Sequence, residues 1–219
     1  MTQNHFLIFD YWKDTPNGGL DKGVVDPAEI AAFGRQVVVF SSHAHGDHYN
    51  PVILDWPNAK LVLSSDIPPA PGAVMVEPDS EYEILGISLR TFQSTDEGVA
   101  FLIKVDGNTI YHAGDLNWWH WTGEPDDFNR DMSQRYREQI DKMRGVKIDL
   151  AFVPVDPRLK GQYSLGIDYL MRTADVGKAV PIHFGERAEI IDKLIADPVS
   201  EPYRERILPL MTRGQSADV

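Results

Sequence analysis

The chain contains no cysteine. Disulfide stapling and thiolate metal sites are therefore excluded, so any metal it holds must be taken by imidazole or carboxylate. Positive charge is also scarce: 21 Lys and Arg stand against 33 Asp and Glu, a formal net charge of −12. Such a balance repels polyphosphate, and no visible basic cluster offsets it, so no nucleic-acid partner is expected. Long apolar runs are lacking as well. No stretch reaches the roughly 18 uninterrupted apolar residues of a membrane helix. The opening MTQNHFLIFDYW has no basic start followed by a long apolar segment. A cytoplasmic protein with no membrane association is the expectation. Internal repeats and low-complexity tracts are missing too, and the Pro-rich stretch DIPPAPGA at 66–73 is too short for an interdomain linker.

What is present suffices for one core. At 219 residues and 42% apolar content, a single domain over 1–219 is expected, with the small polar end 212–219 frayed. Short β-branched runs read as strands at 5–9, 37–40, 60–64, 73–76, 87–92, 99–105, 109–113, 149–155 and 178–184. Asp106-Gly107-Asn108 is turn chemistry, so 99–113 reads as a hairpin. Helical patterns fall at 27–34, with Asp26 as N-cap and Pro27 at the first position, and near 128–144, 165–175 and 187–196. Strands dominate the first half and alternate with helices in the second, which implies sheets covered by helices.

Histidine is spent unevenly. Of seven in the chain, three fall within SSHAHGDHYNP at 41–51, directly behind the apolar run VVVF. His43 and His45, two apart in extended chain, can point the same way. Gly46 is expected to supply a turn through its conformational freedom, so that Asp47 and His48 face a second point nearby. Imidazole and carboxylate are the ligands a borderline divalent ion takes when thiolate is unavailable. Two adjacent ions, roughly 3.5 to 4 Å apart in enzymes that pair them, account for the whole cluster. Further ligands must come from elsewhere in the chain. TIYHAGD delivers Asp115 at a strand's carboxyl end, where its two oxygens can bridge, and KAVPIHFGE delivers His183.

With these residues in place, the chain resembles the metallo-β-lactamase-fold hydrolases. HAHGDH matches that superfamily's HxHxDH signature, and HAGD and PIHFG follow it in order. The resemblance implies an α+β fold, a four-layer αββα sandwich of two mixed sheets flanked by helices. It also implies that His43 and His45 bind a first metal, that Asp47, His48 and His183 bind a second, and that Asp115 bridges. Asp10 in IFDYW looks like the acidic residue that braces the metal loop. The spacing is similar to the intracellular lactonase-like branch. The cofactor implied is one or two divalent ions, zinc foremost, with manganese or iron as alternatives.

One departure matters. Where relatives carry a third histidine for the first metal, this chain reads Gln93-Ser94-Thr95-Asp96-Glu97-Gly98, so Ser94 stands at the expected ligand position. Either Asp96, two residues on, replaces it, or the first site is weak. His112 is a further candidate that a core or supporting role also explains. Behind Asp115 lies LNWWHWTGE, from which Trp118, Trp119 and His120 are expected to wall a substrate pocket, although these rings could equally cover the helix near 128–144.

A bound ion would acidify a water to hydroxide and polarise a carbonyl or phosphoryl oxygen. Asp47, Asp115 and His183 are the expected catalytic residues, with Asp115 holding the nucleophile. The expected activity is hydrolysis of a small-molecule ester, lactone, amide or phosphoester. Homo-oligomerisation is compatible with this. Three alternatives stand beside it. A nucleic-acid phosphodiesterase is opposed by the charge balance. The superfamily's di-iron redox branch reads HxExDH, and here His45 occupies the glutamate position. A non-catalytic metal-binding or ligand-sensing module is favoured by Ser94.

Overall fold

A computed structural model describes residues 1–13 and 18–219. Two sheets lie face to face. The first takes β1 (His5–Phe9), β2 (Gln36–Ser41), β3 (Ala59–Ser64) and β4 (Val74–Val76) in the order β1-β2-β3-β4. All its pairings are parallel, with Phe9 opposite Phe40 and Ser41 opposite Leu63. This sheet is therefore purely parallel, not mixed as expected. Its central strand, QVVVFS, shows the reason: Val37 through Ser41 are all buried, the continuous apolar run of a strand covered on both faces.

The second sheet contains β5 (Glu81–Ile84), β6 (Ile87–Gln93), β7 (Val99–Val105), β8 (Asn108–His112), β9 (Lys147–Pro154) and β10 (Asp175–Ile182), in the order β10-β9-β8-β7-β6-β5. Strands β8, β9 and β10 run parallel, while β5 to β8 form an antiparallel meander. The hairpin β7–β8 turns on Asp106 and Gly107, at φ 49° and 81°. Positive φ at both central positions is what a tight hairpin needs to match strand twist.

The helices are α1 (Pro27–Ala31), α2 (Asp126–Asp141), α3 (Leu165–Thr173) and α4 (Glu189–Ala196). Asp26 caps α1 by accepting from the backbone N–H of Ala28 at 2.8 Å. Among the described residues no helix is long and apolar enough to cross a membrane. Three apolar clusters define the layers. Val38, Phe40 and Val62 meet Leu89, Phe101 and Ile103 between the sheets. Ile30, Ile53 and Trp56 cover the outer face of the first sheet. Met132, Tyr136, Ile167, Leu170 and Ile191 cover that of the second. The result is the αββα sandwich expected, and full burial of Phe40 and Phe101, edge to face at 5.4 Å, contributes about 1.5–3 kcal/mol each.

The topology fixes where chemistry can occur. Asp10 follows β1, residues 42–48 follow β2, Asp66 follows β3, 94–97 follow β6, Asp115 follows β8, and His183 follows β10. These chain segments leave carboxyl ends of strands, the end at which open α/β-type sheets place their sites.

Candidate metal centre

The segment behind β2 carries the imidazoles into the interior. His43 is fully buried and His48 is 5% exposed, whereas His45 and Asp47 lie on the rim. The turn between them is closed by the backbone N–H groups of His48 and Tyr49, which donate to the carbonyl of His45 at 2.9 and 3.0 Å. Gly46 is absent from the positive-φ residues, and a Cβ added there would touch nothing. Its expected role in the turn is thus corrected. The glycines the site requires are Gly98 and Gly114, at φ 67° and 51°. A Cβ on Gly98 would run into the carbonyl of Ser42 and Cβ of His43, and one on Gly114 would collide with the side chain of Ser42.

Asp115 lies at the centre. Its Oδ1 is 3.3 Å from Nε2 of His48 and 3.4 Å from Nε2 of His183, while Oδ2 is 3.7 Å from Nε2 of His43. Nε2 of His43 is 3.0 Å from Nδ1 of His45. Residues drawn from β2, β8 and β10 therefore converge. Three groups hold ligand atoms within 4.8 Å of one another: His43, His48 and Asp115; Asp47, His48 and His183; and His45, Asp96 and Asp115.

Outer carboxylates orient the rings. Nδ1 of His48 donates to Oδ2 of Asp10 at 2.8 Å, and Nδ1 of His183 to Oδ2 of Asp156 at 3.0 Å. Asp10 also accepts from the backbone N–H of Ser42 at 2.7 Å and from its hydroxyl at 2.8 Å. Because that hydroxyl's proton goes to Asp10, its oxygen is left to accept from Nδ1 of His43 at 3.0 Å. His43, His48 and His183 thus turn Nδ1 outward and Nε2 inward, as metal-binding histidines do. Asp10 and His183 themselves sit at positive φ, 46° and 64°, a sparsely populated conformation for residues with a Cβ.

The donor set fits a divalent ion. Oδ1 of Asp115 is buried with no hydrogen-bond partner among the described residues, although two imidazole nitrogens face it. A buried carboxylate oxygen without a hydrogen-bond partner, ringed by imidazole Nε2 atoms, is a donor set that a cation would complete.

The electrostatics agree. Burial would lower the His48 pKa, but its hydrogen bond to Asp10 and the charges of Asp10, Asp115 and Asp47 outweigh this and raise it to about 9. His183 is likewise raised, Asp156 and Asp115 outweighing burial. Burial and the neighbouring His48 lower His43, and burial raises Asp115. Without an ion, protons take up part of the negative charge.

Ser94 is buried. Its Oγ accepts from the backbone N–H of Asp96 at 3.1 Å and its N–H donates to the carbonyl of Gly98 at 3.2 Å, so it shapes the turn that presents Asp96. His112 stacks on Phe9 at 4.9 Å and accepts from the N–H of Gly114 at 3.1 Å. Its pKa is pushed down to about 4 by burial. Trp119 donates Nε1–H to the backbone carbonyl of Asp115 at 3.0 Å and stands edge-on to His183 at 5.3 Å. The Trp118 ring instead packs beside Tyr136 and Tyr169, with the Arg137 guanidinium 4.5 Å from its centre. That places it in the layer of α2 and α3. His120 is half-buried.

Sequence reasoning missed Asp156, which behind β9 both orients His183 and caps the turn begun by Pro157. Its signal was Asp-Pro at the end of an apolar strand, the same cap pattern recognised at Asp26-Pro27. It also missed Asp66, which accepts from the N–H of Ala44 at 2.7 Å.

No protein-family model and no curated protein matches the sequence. Solved structures do match in fold. The chain is similar to Igni18, a novel metallo hydrolase from the hyperthermophilic archaeon Ignicoccus hospitalis, with 16% identity and a TM-score of 0.52 over 82% of this chain and 77% of that one. It is also similar to CmlA, a diiron β-hydroxylase from Streptomyces venezuelae, with 11% identity and a TM-score of 0.50. Here 82% of this chain covers 41% of CmlA, less than half of its length. Together with the layer order, these likenesses identify the metallo-β-lactamase fold.

Proposed function

We propose that this chain is a metal-dependent hydrolase, acting as one domain on a small molecule with an ester, lactone, amide or phosphoester bond. The observation that carries the reading is the unpartnered Oδ1 of buried Asp115, faced by His48 and His183. His43, His45 and Asp96 would hold one ion, and Asp47, His48 and His183 the other, with Asp115 between them. Each position then has imidazole and carboxylate donors alone, a set that suits zinc, manganese or iron. When bound, such ions supply an acidified water and a polarised substrate oxygen.

The chain's own residues supply the rest. Asp115 would orient the attacking water through its carboxylate, its backbone carbonyl being held by Trp119 and the preceding Gly114 being packed closely on Ser42. Asp10 and Asp156 hold the Nδ1 protons of His48 and His183, so that Nε2 is the nitrogen each ring would give to an ion. The Trp119 ring, 5% exposed, excludes water beside His183. Asp47, with its side chain 60% exposed, stands where an incoming substrate or leaving group would meet the rim.

Metal analysis of the purified chain, followed by a panel of ester, lactone, amide and phosphodiester substrates, tests the reading. Two ions per chain and turnover abolished by His48→Ala support it. Stoichiometric metal with no turnover on any substrate supports a binding or sensing module instead. Spectroscopically redox-active iron with no hydrolysis would transfer the site to oxygen chemistry.

A further inference from the structure

The rim of the proposed centre is acidic, with Asp47, Asp96 and Glu97 exposed. Against that background one cation stands out. Arg158 follows Asp156 at the end of β9 and keeps its side chain 54% exposed. Its Nε and Nη2 reach Oδ2 of Asp156 at 2.7 and 2.5 Å, the same oxygen that accepts from Nδ1 of His183 at 3.0 Å. The guanidinium is therefore one carboxylate oxygen away from an imidazole of the centre. Asp156 foremost, with Asp115 and Asp47 in addition, strengthens its hold on its proton.

A bland account makes Arg158 the neutralising partner of a buried acid. The hydrogen bonding of Asp156 does not require it for that. Oδ1 already accepts from the backbone N–H of residue 158 at 2.7 Å, and Oδ2 already accepts from His183. Meanwhile Nη1 has no hydrogen-bond partner among the described residues, and an arginine fork tied on one edge offers its other edge in a fixed direction.

The ring beneath supports this. Cζ of Arg158 lies 5.6 Å from the centre of Trp121, which stacks on Trp119 at 6.0 Å and 5°. Trp119 in turn meets His183 and holds the carbonyl of Asp115. Trp121 is clamped from below, since buried Asn129 accepts from its N–H at 2.9 Å and donates to its carbonyl at 3.0 Å. Guanidinium, indoles and His183 thus form one continuous wall beside the centre, with a charged end and an apolar middle.

Resting on the hydrolase reading, we infer that Arg158 and Trp121 form a subsite for an oxyanion, so that the substrate carries a carboxylate or phosphate group at a distance from the bond that is cut. An anionic small molecule is otherwise repelled by a chain of net charge −12, which makes a fixed cation beside the centre the natural device for admitting one.

The test uses the metal-loaded full chain, with acetate and methyl phosphate as separate probes, titrated by calorimetry and by tryptophan fluorescence. Saturable binding is expected, weakened about tenfold or more in Arg158→Gln and partly retained in Arg158→Lys. The probe whose affinity falls further in Arg158→Gln names the carboxylate or the phosphate class. Metal content and melting temperature are measured on both variants, because a merely structural arginine would alter those and leave probe affinity unchanged. Equal affinity in parent and Arg158→Gln, or no saturable binding of either probe to the parent, overturns the inference. A chain that binds no metal would sink the hydrolase reading alone, since the guanidinium is positioned by Asp156 and Trp121 and its probe titration would still report.

Discussion

Oδ2 of Asp10 accepts both from Nδ1 of His48 at 2.8 Å and from the hydroxyl of Ser42 at 2.8 Å, so a single carboxylate oxygen sets the direction of two imidazoles. Outer partners of this kind commonly govern metal affinity about 10- to 100-fold. Asp10→Asn is near in shape but presents an amide, and if its nitrogen faces His48 the ring must reverse its tautomer and turn a proton inward. Metal affinity is therefore expected to fall about 10- to 100-fold, by competition with a chromophoric chelator. Unchanged affinity would show that Asp10 braces the loop without tuning its ligands.

The same pair predicts how the metal-free protein responds to pH. His48 is raised from 6.5 to about 9, so the folded state holds its proton where the unfolded chain has lost it. This contribution is full below pH 6.5 and disappears as pH rises through 9. His112 acts in the opposite sense: lowered from 6.5 to about 4, it makes the unfolded chain bind more protons in that interval, so stability is lost as pH falls below 6.5. The metal-free chain is expected to be most stable near pH 6.5, by urea midpoints at pH 5, 6.5 and 9. With metal bound the alkaline loss should vanish, because a ligating His48 has already surrendered its proton. An alkaline loss of equal size with metal present would place His48 outside the ligand set.

Backbone crowding yields a contrast between two glycines. A methyl group on Gly98 would drive into the carbonyl of Ser42 and Cβ of His43, at a φ of 67° that already disfavours alanine. Gly98→Ala is expected to destabilise by at least about 2 kcal/mol, roughly 4–8 °C in Tm for a chain of this size. Gly46→Ala, where the added Cβ meets nothing, should stay within about 0.5 kcal/mol despite lying inside the histidine motif. A reversed order in thermal melts would refute the close approach of the two loops.

How much of this was legible in the sequence depended on whether the signal was local. Apolar runs such as VAFLIKV and HFLIF coincide with β7 and β1 because burial on both faces writes itself into consecutive residues. Strand β5, EYEI, was missed although its exposed glutamates alternate with Tyr82 and Ile84, because four residues at a sheet edge make too short a run to stand out. The histidine cluster was readable because its spacing is short. Asp156 and Asp66 were not, since the Asp156-Pro157 pair marks a cap but not the distant ring it orients, and Asp66 carries no mark of the Ala44 N–H it accepts from. Gly46 misled for the complementary reason: a glycine beside a motif suggests a turn, whereas the hydrogen bonds to His45 close that turn without positive φ. Trp118 and Trp119 are adjacent in sequence and join the same apolar cluster, yet their rings take different neighbours, Tyr136 and Tyr169 for one and His183 for the other, a division only the packing decides.

The place of the expected third histidine offers the sharpest test of the centre. Ser94 spends its hydroxyl on the backbone of Asp96, and the Asp96 carboxylate comes within 4.8 Å of ligand atoms of His45 and Asp115. Thr95 pins the intervening residue, donating to the carbonyl of Asn117 at 2.7 Å and accepting from its N–H at 3.0 Å. The loop is thereby tied to the segment that carries Asp115, and Asp96 is not left to wander. Asp96→Ala should reduce metal content from two ions per chain toward one, while His183→Ala should empty the other position. Combining the two should remove both. Ser94→Ala keeps the carboxylate but loosens the turn, so it should weaken the first ion without abolishing it. Elemental analysis after dialysis against a weak chelator reads all four proteins. Two ions retained by Asp96→Ala would mean that His43, His45 and Asp115 suffice, and that Ser94 stands in a ligand position the site has no need to fill.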